Sequence, residues 1–311
     1  MSKEVIKNSI FSVIKKGLSI YISNIDKFLI YMLFPVFGQI FGILLSFGLA
    51  LGFAEKVIDK VDNPVHAILI VLLLALPGLL IFCKAFWDFM VAYVALNSMT
   101  QGALTTGKVY DIPSHKAVAT QRTMPFIGLL ILVGVLSSLA TSIFFIIPGF
   151  VLWIYFILVY QVFTFEPGLP LHDNFKRSFI LIRGHWFRTF ILLAILVFFS
   201  IYIITVGITV IFDYLNLSEK IYSHLTIFTN MIPLDLTNKI LVHLKMPLIT
   251  PHLIAEWIWF SILSFIVTGL TLPVRSICWS LWYMSLTDKQ PQTVQQPKRK
   301  YKKRSTQEEE E

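Results

Sequence analysis

The chain has 311 residues, of which 56% are hydrophobic and only 14% charged, and it carries a net charge of +8. Soluble domains hold roughly a quarter charged residues. This excess of apolar side chains excludes a single soluble core and points to an all-α, polytopic membrane protein. The positive charge then reads as basic residues beside membrane spans, not as a nucleic-acid surface. Cys83 and Cys278 lie inside apolar runs, so no disulfide framework is expected.

Residues 1–26 form the first unit. Ile6, Ile10, Val13, Ile14, Leu18, Tyr21 and Ile25 recur at helical spacing, with Lys3, Lys7, Lys15 and Lys16 between them. That pattern predicts an amphipathic helix lying flat in the headgroup region. The first long apolar run, about 28–53, is too long for the core of a cleavable signal peptide and predicts a retained span.

Residues 27–287 form the membrane domain. Six spans are predicted at about 27–53, 66–98, 124–147, 150–165, 186–213 and 253–287, since about 20 residues suffice to cross. The second and sixth are long, with Pro77-Gly78 and Pro273 as kink sites. Pro148-Gly149 is read as the turn between the third and fourth. The fourth falls just below the usual length, which leaves open whether it crosses or re-enters. The loop at 214–252 is apolar enough to carry two short helices, one with Leu217, Ile221, Leu225 and Phe228. The other would be capped by Asp235 and carry Ile240, Leu241 and Leu244. Residues 288–311 (DKQPQTVQQPKRKYKKRSTQEEEE) have no apolar pattern and are expected to be a disordered tail.

Charge tests this layout. With the N-terminus inside, the inner segments hold nineteen of the 26 lysines and arginines and the outer segments only five. Basic residues collect on the cytoplasmic side, so both termini are expected in the cytoplasm of a cell that carries the protein in its inner or plasma membrane.

Lys84 and Asp88 lie four apart inside the second span, on one helix face, and Arg275 follows Pro273 in the sixth with no acid nearby in sequence. Charge inside a span is costly and marks function or a structural pair. A third candidate, Glu166, ends the fourth span. After it, Lys176, Arg177, Arg183 and Arg188 sit on an amphipathic segment suited to anionic lipid headgroups. The seven histidines make no HExxH or other close ligand spacing, and neither a P-loop nor GxSxG occurs. No metal or cofactor is expected.

Three stretches (12–34, 114–133 and 172–197) share one plan, a short basic amphipathic segment leading into a pair of spans. Within 146–190, Pro148-Gly149 opens a short apolar helix. Glu166 follows, then Lys176-Arg177-Ser178, Leu181 and Gly184, and then another span. This order resembles the membrane-spanning domain that accompanies some bacterial glycerophosphodiester phosphodiesterases, together with its stand-alone, largely uncharacterised relatives. The segment 95–128 is similar to the same family's earlier loop. The resemblance implies a six-helix membrane protein. It does not imply phosphodiesterase activity, because the spans leave no room for the soluble catalytic domain. The expected role is a non-enzymatic accessory or lipid- and envelope-associated factor whose partner is the bilayer. A small transporter or channel using Lys84, Asp88 and Arg275 is the alternative. A lipid-modifying enzyme built on Glu166 and nearby histidines ranks last.

Overall fold

The structure is a computed structural model. It describes residues 9–287 apart from 59, 62, 107, 108, 110, 111, 145, 233, 235–237, 239, 240 and 244. The first eight residues, the tail at 288–311, and Asp235, Ile240 and Leu244 of the second loop helix lie outside the described residues.

The helices are α1 (Ile10–Ser23), α2 (Ile25–Ile58), α3 (Pro64–Thr106), α4 (Ile112–Phe144), α5 (Ile146–Tyr155), α6 (Val159–Phe165) and α7 (Leu171–Ile182). α8 (Trp186–Val197) runs through a π-helical stretch, Phe198–Val206, into α9 (Gly207–Tyr214); α10 (Leu217–Thr229) and α11 (Pro251–Thr287) follow. No strand occurs among the described residues. Among the described residues, six helical stretches are long and apolar enough to cross a membrane: Ile25–Ala50, Val65–Leu104, Ala119–Leu139, Ile147–Phe165, Trp186–Tyr214 and Pro251–Thr287. The protein is an all-α polytopic membrane protein.

Small residues hold the α2–α3 hairpin together. Gly38, Gly42 and Ser46 recur every four residues on α2 and meet Ala85, Phe82 and Gly78 of α3. A Cβ on Gly42 would lie 2.5 Å from the Phe82 amide nitrogen, and one on Gly38 would lie 2.8 Å from the Ala85 Cβ. Lipid chains are as apolar as leucine, so helices in a bilayer gain by close backbone approach. Ser46 adds a hydrogen bond from its hydroxyl to the Ala75 carbonyl, 2.9 Å. α3 is 43 residues long and continuous through Pro77. At 1.5 Å per residue it is roughly 65 Å in length, so it projects well past a bilayer.

α1 is docked on protein. Its inner face, Val13, Gly17 and Tyr21, is buried. Gly17 is seated on Cys278 of α11, and Tyr21 donates to the Leu270 carbonyl at 3.0 Å. Its exposed residues include Phe11, Lys15 and Ile22. The end of the molecule where α1, the last turns of α3, α6, α7 and the C-terminal half of α11 meet is called the base.

Pro148 and Gly149 belong to the first turn of α5, not to a turn between spans. Proline needs no amide bond there, and Gly149 lets α5 touch Thr141 of α4. The fourth span is a broken helix. Phe156, Ile157 and Val159 bond back only three residues between α5 and α6. Irregular backbone at membrane depth is tolerated where protein covers it, and here Ile154, Leu158, Val159 and Val162 are fully buried. The Tyr155 carbonyl at the break accepts from the Ser178 hydroxyl of α7 at 2.7 Å. In the loop after α9, α10 packs on α11, and Thr229 donates to the Pro251 carbonyl at 2.8 Å. The Asn238 amide clamps Ile249 through its carbonyl and its N–H, at 3.0 and 2.9 Å.

Candidate functional site

The base is built around the C-terminal half of α11, buried nearly all round from Thr271 to Tyr283. Three polar assemblies join it to its neighbours. In the first, Asn97 of α3 accepts from Ser276 at 2.6 Å and from Ser280 at 3.4 Å, and donates to Thr164 of α6 at 3.0 Å. Ser276 and Ser280 are four apart, so one face of α11 presents both hydroxyls. In the second, Glu166 accepts the Tyr283 hydroxyl at 2.7 Å and the Arg177 Nε–H at 2.9 and 3.2 Å to its two oxygens. Phe165 stacks on the Tyr283 ring, centroids 5.2 Å apart, which fixes the phenol toward Glu166. In the third, the Trp282 indole donates to Thr189 of α8 at 3.1 Å.

Arg122 of α4 caps α6. Its guanidinium donates to the Phe163 carbonyl and to that of Thr164 at 3.4 Å, and lies 4.6 Å from the Phe163 ring centroid. The last carbonyls of a helix have no partner within it and carry its negative dipole end, which a cation stabilises. Lys27 plays a similar part just past α3, donating to the Val109 carbonyl at 3.0 Å.

The sequence-derived candidates separate. Glu166 and Arg177 pair with each other. Lys176 lies 3.5 Å from Asp173 across an exposed turn of α7, a geometry worth little in water. Arg183 and Arg188 are exposed and make no ion pair among the described residues. Phe175 and Ile182, the apolar face of the same segment, pack on the bundle; Phe175 meets Phe156 edge-on at 5.1 Å. Lys84 and Asp88 form a pair at 2.5 Å, and Lys116 of α4 stands 3.9 Å from the other Asp88 oxygen. Arg275 is joined to neither Asp88 nor Glu166. Its Nε is buried without a hydrogen bond, and its guanidinium has no ion pair among the described residues. The three intramembrane charges therefore do not assemble into one polar centre.

Asn97, Arg122, Lys116 and Tyr283 were not singled out from sequence. Asn97 carried a readable signal, an amide at the end of an apolar run. The role of Arg122 had none, because its carbonyl partners are exposed only by where α6 ends. No group of three histidine, cysteine, aspartate or glutamate side chains placed to hold a metal occurs among the described residues. Compared with protein-family models, curated proteins and solved structures, the chain has no significant match in any of the three.

Proposed function

We propose that the protein is a non-enzymatic factor of the cell membrane, with both ends cytoplasmic, that works through contacts with anionic lipid at its base. It belongs, in this reading, with the stand-alone relatives of the membrane-spanning domain that its sequence resembles. One observation carries the reading. Two polar assemblies of the base, Asn97–Ser276–Thr164 and Glu166–Arg177–Tyr283, are engaged within the protein. Arg183 and Arg188 are left on the outside with no protein partner among the described residues. Polar groups so engaged lock helices together, while exposed arginines beside a span attract anionic headgroups.

Reporter fusions after Glu55 and after Lys220 should both report the outside; a cytoplasmic signal from either removes the topology. R183Q/R188Q should lower the phosphatidylglycerol retained by purified protein by roughly twentyfold, at about fivefold per arginine. Unchanged retention removes the lipid role. Arg275 alone favours the transporter alternative, being a charge inside a span with a buried Nε that makes no hydrogen bond and with no ion pair among the described residues. Ion or solute flux in proteoliposomes that R275Q abolishes would establish that alternative instead.

A further inference from the structure

A groove of about 580 Å³ runs along the outer surface of the α2–α3 hairpin, within the roughly 300–1,000 Å³ range of small-molecule sites. Its depth comes from the small residues that bring the helices together. Gly38 and Ala85 form the floor, Phe37 and Phe41 one rim, and Leu80 and Ile81 the other. The rims are exposed and apolar. Only one end is polar, where Lys84 and Asp88 line the groove. Since Gly38 faces Ala85 and Gly42 faces Phe82, the Phe41–Leu80 end lies about one helical turn away from the charges, on the side away from Lys116, which just precedes the apolar stretch Ala119–Leu139 of α4.

Among the described residues, the charges at that end do not balance. Asp88 holds Lys84 at 2.5 Å through one oxygen, while Lys116 stands off the other at 3.9 Å, beyond hydrogen-bond reach. Two ammonium groups share one carboxylate, and both are more than half exposed. A net positive charge at the edge of hydrocarbon draws an anion. The arrangement is that of a lipid site, a cationic end for a phosphate and an apolar trough leading inward for a chain.

We propose that this groove binds one phospholipid of net negative charge, its phosphate between Lys84 and Lys116 and one acyl chain lying between the Phe37–Phe41 and Leu80–Ile81 rims. Asp88 already faces two lysines, so the site offers little to the ammonium of a zwitterionic headgroup. The inference rests on the lipid-dependent reading above but concerns a different surface from Arg183 and Arg188.

Native mass spectrometry of the full-length protein, purified with equal phosphatidylglycerol and phosphatidylcholine, tests it. K84Q and K116Q should each lower retained phosphatidylglycerol roughly fivefold, and together about twentyfold, with phosphatidylcholine unchanged. Leu80→Trp, which fills the trough and leaves both lysines, should also lower it. Unchanged retention in K84Q/K116Q, or equal loss of both lipids, overturns the proposal; the former is also the result if the groove instead seats an acidic helix of another membrane protein. If R183Q/R188Q lowers retention and K84Q/K116Q does not, the groove assignment alone fails. If neither does, the lipid reading fails with it.

Discussion

Asn97 joins α3, α6 and α11 through one amide, and its side chain is 1% exposed. Hydrogen bonds between membrane helices are worth about 0.6 kcal/mol on average and up to about 1.7. Asn97→Leu removes two good ones and a long third, so it should lower the unfolding free energy by about 2 kcal/mol, read from denaturant unfolding in mixed micelles. An unchanged midpoint would mean that packing alone holds the three helices. Ser280→Ala, which loses only the 3.4 Å contact, should be nearly silent. Tyr21 offers a test through pH. Burial raises its hydroxyl from the usual 10 to about 12, because the phenolate is poorly solvated against α11. A raised pKa favours the neutral, docked form. That contribution is complete below pH 10 and is lost as pH climbs through about 12. Tyr21→Phe should remove one tyrosine's worth of the phenolate absorbance that appears late in that window. A Tyr21 that ionises near pH 10 would mean that α1 is undocked.

Close packing at the level of elements rests on positions where no side chain fits. Gly42→Val places a branched chain where even a Cβ meets the Phe82 backbone. Overpacking costs typically 1–3 kcal/mol, and backbone cannot turn aside as a side chain can, so the upper end is expected in micelle unfolding. Gly48→Val, with nothing within 4 Å, is the control and should change little. Equal effects would show that α2 and α3 are not in register as described. The existence and rough limits of these helices were readable from apolar run length alone, and so was the amphipathic character of α1 and α7. What those two amphipathic faces rest on was not. A stripe such as Phe175 and Ile182 is compatible with bilayer or protein, and only the neighbours decide. The Gly38-xxx-Gly42-xxx-Ser46 spacing was present in the sequence, but spacing names one face of a contact and never its partner. Pro148-Gly149 misled for a related reason: the pair suits a turn, yet proline suits the first turn of a helix equally well.

Taken as a whole, the molecule is tightly joined at its base, while α2, α3 and α9 carry much of their apolar surface outward, at Phe41, Leu72, Leu73 and Val210 among others. The sequence placed Glu166 and Arg177 in the same short stretch, which made their pairing a natural expectation, whereas Tyr283 reaches Glu166 from 117 residues away and left no local trace. The seat of α1 is more distant still, Tyr21 meeting Leu270 across 249 residues. The groove that receives Gly17 and Tyr21 is made by Leu270 and Cys278, which emerge from the ribosome long after α1 has been synthesised. The inner stripe of α1 is thus made before its seat on α11 exists, and α1 can dock only after the chain has been synthesised past Cys278.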